Sequence, residues 1–181
     1  MIDLNQIADA VLDQAKEKGW GHTQEMLSVA EKISLIHCEI SEYWFATQRA
    51  TKSVKDTPEA ELADILLRTL HLGKVWEVDF GKQPATLKNH GLLYLHRLTS
   101  LAYDYYRHKK NTLFKKYLNR LVWGVVALAE STGVDLRKAV QTKLEINKSR
   151  VWKAKALRGN YYDRSEPRTV PPRSLLGGTK K

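Results

Sequence analysis

Two pairs of acidic residues carry the chemistry that this chain could do. Glu39 and Glu42 stand three residues apart, Glu61 and Asp64 repeat the interval, and residues 43–60 separate the pairs. On an α-helix, positions i and i+3 share one face a turn apart, so each pair projects from a single side of its helix. Leu35, Glu39, Glu42 and Ala46 form a line beside the apolar stripe Ile33, Ile36, Ile40 and Tyr43. Glutamates placed there are half-buried, which is costly for a charged group without compensation. If the two helices pack antiparallel, as their short connection suggests, four anions converge and repel. A divalent cation removes that repulsion, and carboxylate oxygens with water suit Mg²⁺, with Mn²⁺ as an alternative. The six histidines (His22, His37, His71, His90, His96 and His108) and Cys38 show no zinc spacing. Each pair taken singly also has a plainer reading as an ion-paired helix face, because Arg68 follows Asp64 at i+4 and Glu61 at i+7.

The elements that must position these residues read as helices throughout. Apolar residues recur at three- and four-residue spacing with little β-branched alternation, which predicts an all-α bundle of about five helices. The first covers roughly Asp3 to Lys18 and is stopped by Gly19 and Gly21. The second is expected from an N-cap near Thr23 to about Ala50. Pro58 suits the first turn of a third, which runs through Leu62, Ile65, Leu66 and Leu70 to around Gly73 to Trp76. Further periodic stretches cover about Leu87 to His108, Thr112 to Ser131 and Asp135 to Lys155, with Gly133 as a terminator. A faint internal echo aligns Leu62–Lys82 with Leu118–Lys138, offset by 56 residues and matching Val78-Asp79-Phe80 to Val134-Asp135-Leu136. It suggests a degenerate duplication of helical hairpins, in which Tyr117 and Arg120 take the places of Glu61 and Asp64.

Composition bounds the class. At 181 residues and 43% apolar, the chain can bury a core and is not a disordered polymer. One cysteine excludes an internal disulfide and suits a reducing cytosol, so a cytoplasmic location is expected. No apolar stretch approaches the roughly 20 residues that span a bilayer. Of the net charge of +10, residues 151–181 carry +6. Prolines at 167, 171 and 172 and the paired Gly177 and Gly178 mark 159–181 as a flexible basic arm after a domain of residues 1–158.

With these motifs in place, the chain resembles the all-α nucleotide pyrophosphohydrolases of MazG type, a superfamily that includes dimeric dUTPases. The resemblance rests on Glu39-x-x-Glu42, the gap that follows, and Glu61-Leu62-Ala63-Asp64, within ISLIHCEISEYW and AELADILLRTLHL, and on Lys143, Asn147 and Arg150 in KLEINKSR. It implies a Mg²⁺-dependent enzyme that cleaves a nucleoside triphosphate to the monophosphate and pyrophosphate. Glu39, Glu42, Glu61 and Asp64 would hold metal, and Glu42 or Glu39 would serve as base. Lys143, Asn147 and Arg150 would meet phosphates. The resemblance also implies a homodimer or homotetramer. Independently of the resemblance, Trp20 and Trp44 could stack on a nucleobase, against the plainer reading of helix-packing aromatics. Two departures stand out: Cys38 occupies a place that is acidic in many members, and the segment 79–117 is longer than the minimal hairpin needs.

Two other classes of function compete. A nucleic-acid-binding protein would use the basic arm, with Tyr161 and Tyr162 as stacking groups, and would be indifferent to Glu39 or Glu61. A helical interaction module, or a relative without activity, would use the carboxylates only in salt bridges.

Overall fold

A computed structural model describes residues 2–48, 57–85 and 91–149. Among these residues there are six helices: α1 Leu4–Lys18, α2 Val29–Gln48, α3 Pro58–Val75, α4 Gly91–Arg107, α5 Asn111–Thr132 and α6 Leu136–Ser149. The all-α expectation holds, and the six helices fall on the six stretches read from the sequence, roughly consistent with the count of about five. Arg150, the basic arm and its Tyr161 and Tyr162 lie outside the described residues.

Local chemistry explains most of the boundaries. Asp3 caps α1 by accepting from the Gln6 amide, and Gly19 ends it at φ 71°. Thr57 accepts from the Ala60 amide and Pro58 fills the first turn of α3. Asp135 accepts from the Lys138 amide at the start of α6. The second helix starts later than expected, at Val29 rather than near Thr23. Gly21 has a positive φ of 84°, the chain turns with Met26 N donating to Thr23 O, and Ser28 accepts from the Glu31 amide as the actual cap. A hydroxyl at Thr23 therefore marks a turn and not a helix start.

The bundle is organised around α3, which packs against α1, α2, α5 and α6, while α4 closes against α2 and α5. Between Ala60 and Val75 only Asp64, Arg68 and Lys74 escape full burial. A helix apolar on nearly every side belongs at the centre of a bundle. Ile36, Ile40, Leu62, Ile65, Leu66, Leu70, Leu72, Leu95, Leu118 and Phe114 are fully enclosed. The segment after α3 is locked in place: Asn5 accepts from the Phe80 amide and donates to Asp79, and Trp123 Nε1 donates to the Phe80 carbonyl. Phe80 lies so close over Gly73 that a Cβ there would sit 2.4 Å from its ring.

The echo between the two halves extends to backbone conformation. Val78 N donates to Gly73 O at 2.9 Å, and Val134 N donates to Ala129 O at 2.9 Å, two bonds at the same offset. Glu77, at φ 56°, and Gly133, at φ 72°, are the corresponding left-handed residues. Both helices thus close through the same terminal motif. No helix among the described residues is long and apolar enough to cross a membrane.

Candidate metal centre

The helices α2 and α3 bring three of the four expected carboxylates together. Ligand oxygens of Glu39, Glu61 and Asp64 all lie within 4.8 Å of one another. Glu39 and Glu61 are each 5% exposed, a rare state for glutamate, so burial here needs compensation. Part of it comes from the start of α3, where Glu61 sits in the first turn and the exposed amide dipoles favour negative charge. The fourth residue, Glu42, is exposed and stands outside the triad, although its charge still raises the proton affinity of Glu39. Two glutamates a turn apart therefore end in different environments: one faces α3 and the other faces the rim.

Two cations compensate the triad from different helices. Arg68 Nε donates to Glu39 Oε1 at 2.6 Å. Lys143 of α6 reaches Asp64 Oδ2 at 2.5 Å and is itself almost fully buried. The sequence offered Arg68 as a partner for Asp64 or Glu61 along its own helix; the structure pairs it across to α2 instead. Glu61 is left with the weakest compensation. Burial, then the negative charges of Glu39 and Asp64, push its carboxyl up to about 8, against an ordinary 4.5, while Lys143 pulls the other way. It also shares a hydrogen bond with Glu39, which requires a proton on one of the two. Burial likewise raises Glu39, with Arg68 opposing. The buried pair holds a proton that an incoming cation would displace.

The remaining expected residues are more dispersed. Asn147 lies one turn beyond Lys143 on α6 and is half-buried. Trp20 is half-buried in the loop after α1. That loop is tied to the central helix by His71, whose Nε2–H donates to Gly21 O at 2.8 Å. Burial, helped by the nearby Lys32 and Arg68 charges, lowers the His71 pKa to about 4, so the ring is a neutral donor. His71 was not singled out from the sequence, yet Glu61, Asp64, Arg68 and His71 follow one another at i, i+3, i+7 and i+10. That spacing draws a polar line down one side of an otherwise apolar helix, which is a legible signal.

The donor set fits a hard divalent ion. Three carboxylates from two adjacent helices offer only oxygen, the ligand type Mg²⁺ prefers, and water would have to complete the shell. Among the described residues this is the sole cluster of three or more His, Cys, Asp or Glu side chains so arranged. Compared with protein-family models, curated proteins and solved structures, the chain finds no match.

Proposed function

We propose that this protein is a Mg²⁺-dependent nucleotide pyrophosphohydrolase of MazG type, cleaving an NTP or dNTP to the monophosphate and pyrophosphate. The observation that carries this reading is the convergence of the buried Glu39 and Glu61 with the half-buried Asp64, with a carboxyl held at about 8. A salt-bridged helix face has no reason to gather three acids, two of them buried, against two bases and leave one needing a proton. When bound, a divalent cation would polarise phosphate oxygens and make water more acidic.

The chain's own residues divide the rest of the work. Glu39, Glu61 and Asp64 form the cation seat. Glu42, at the rim, accepts the proton of the water that attacks the α-phosphorus, with Glu39 as the alternative base. The bond from that phosphorus to the bridging oxygen breaks, and the charge gathers on departing pyrophosphate. Lys143, released from Asp64, neutralises that charge, and Asn147 donates a hydrogen bond. Arg150 belongs to the same phosphate-binding group, and Trp20 stacks on the base. The active form is a homodimer or homotetramer, and the location is cytoplasmic.

One observation favours a second reading. The Arg68–Glu39 and Lys143–Asp64 pairs are what a helical interaction module without activity would contain. A single assay separates the two. Purified protein is incubated with a panel of NTPs and dNTPs in Mg²⁺ or Mn²⁺, and the products are resolved. Monophosphate with pyrophosphate is expected from at least one substrate. A panel with no turnover, or one yielding diphosphate with orthophosphate, rejects the enzyme.

A further inference from the structure

Away from the carboxylates, His37 of α2 and His96 of α4 meet across the helix seam with Nδ1 facing Nδ1 at 2.7 Å. Their ring centres are 5.0 Å apart and the planes differ by 13°. With one ring radius added at either end of the nitrogen contact, 5.0 Å is about the largest separation that contact allows. The two centres and two nitrogens therefore lie nearly on a line. These rings meet head to head in one plane and are not stacked face on face. Each Nδ1 lone-pair axis points at the other nitrogen, an arrangement that repels unless an electrophile sits between them. In the protein alone a proton fills that role, with one imidazole donating N–H to the other.

Two imidazole nitrogens in such a contact need at least one ring to be uncharged, and the neutral imidazole is the form that ligates metals. Both rings are half-buried and so reachable from solvent, and each is fixed on a helix. We propose that His37 and His96 form a second, transition-metal site, in which a borderline ion such as Zn²⁺ replaces the shared proton and ties α2 to α4. Tetrahedral coordination with bond lengths of about 2.0–2.1 Å places two imidazole nitrogens roughly 3.3 Å apart, so the nitrogens must separate by about 0.6 Å and each ring must swing roughly 35° off the line that joins them, which lets the two lone pairs converge on the ion. The donor ring moves its proton to Nε2 through solvent, both Nδ1 lone pairs go to the ion, and water completes the shell. No net proton is released. Mg²⁺ is a poor occupant, because it takes oxygen ligands and holds its water tightly. His37 and Glu39, two residues apart, point about 200° apart around α2, so the two sites face different sides.

The test uses full-length protein in excess Mg²⁺, titrated with ZnCl₂ by calorimetry. One equivalent is expected to bind. His96→Gln should weaken it by about tenfold or more, while Glu61→Gln should leave it unchanged. In the wild-type protein, long-range ¹H–¹⁵N spectra should show the Nδ1 signals of His37 and His96 moving together as Zn²⁺ is added. That measurement decides the matter even if the His96 variant folds poorly. Absence of binding, equal binding by His96→Gln, loss of binding in Glu61→Gln, or unmoved Nδ1 signals in the Zn²⁺-bound protein would each overturn the proposal.

Discussion

The hairpins α2–α3 and α4–α5 share a path but not a chemistry. Their second helices, α3 and α5, end through matching hydrogen bonds and matching left-handed residues, at an offset of 56. Where α3 carries Glu61 and Asp64, α5 carries Tyr117 and Arg120. Tyr117 lies against Tyr105 with ring centres 5.0 Å apart, and Arg120 extends over the Tyr117 ring while donating to Tyr94 OH. The α4–α5 face is held by these contacts and, among the described residues, carries no cluster of acidic side chains. The α2–α3 face gathers three acids, two of them buried, and leaves one carboxyl near 8. Local electrostatic discomfort at one of two similar frames is the mark of a site shaped by something other than stability.

The largest effects should therefore fall on one hairpin alone. Glu61→Gln and Asp64→Asn are each expected to lower pyrophosphohydrolase turnover by about a thousandfold or more, with helical circular dichroism intact. Tyr117→Phe and Arg120→Gln, at the corresponding positions, should keep turnover within about threefold of wild type, a change near the resolution of mutant kinetics. Equal losses at both hairpins would show that activity tracks stability, and the contrast between them would disappear.

The second contrast is steric. Phe80 crosses Gly73 at a distance that leaves no space for a Cβ, whereas the corresponding residues Leu136 and Ala129 already accommodate one. Gly73→Ala should cost about 1–3 kcal/mol through overpacking, read as a fall in the urea midpoint. Adding Phe80→Leu, which copies the other half, should recover a large part of that loss. If the double variant is no better than the single one, the two helix ends are alike in hydrogen bonding but not in packing.

A third effect depends on pH, and its sign follows from Glu61. In the unfolded chain this carboxyl ionises near 4.5; in the folded, metal-free protein it keeps its proton to about 8. Between those values the folded state binds more protons, so stability falls as pH rises. Glu61→Gln removes that slope. With metal chelated, the variant should be more stable than wild type by roughly 1–3 kcal/mol at pH 8, and close to it at pH 4.5. Mg²⁺ should flatten the wild-type slope, since binding requires the ionised form. The Tyr117→Phe control keeps Glu61 and should therefore retain the wild-type slope below pH 8. Unfolding curves at three pH values, with chelator and with Mg²⁺, measure all of this.

The reach of sequence reading differs between these features for physical reasons. The i,i+3 carboxylate pairs and the 3.6-residue periodicity were legible because both are properties of a single helix. Convergence of Glu39 with Glu61 and Asp64 followed once α2 and α3 were read as adjacent. The exclusion of Glu42 was not legible: which of two glutamates a turn apart faces α3 depends on a rotation of α2 that periodicity fixes only coarsely. Nor was the choice of Arg68 for Glu39, or the meeting of His37 with His96, since both join different helices. The start of α2 was misplaced because Thr23 and Ser28 offer the same hydroxyl, and only the turn at Gly21 to Met26 decides between them.

The smallest contrast lies in the left-handed residues themselves. Glu77 holds φ 56° with a side chain whose Cβ crowds the backbone in that region, while Gly133 holds φ 72° without that cost. Glu77 has a compensating contact of 3.7 Å with Lys115, but its own side chain is largely exposed and such a pair contributes little. Replacing Glu77 with Gly relieves the backbone but enlarges the conformational freedom of the unfolded chain, so the two terms partly cancel. The net expectation is a gain of about 0.5 kcal/mol for Glu77→Gly and a loss of about 1 kcal/mol for Gly133→Ala, where strain is added without compensation. Thermal unfolding of the two variants side by side resolves that difference. A loss at Glu77→Gly would mean that the Lys115 contact, and not the backbone, determines how α3 ends.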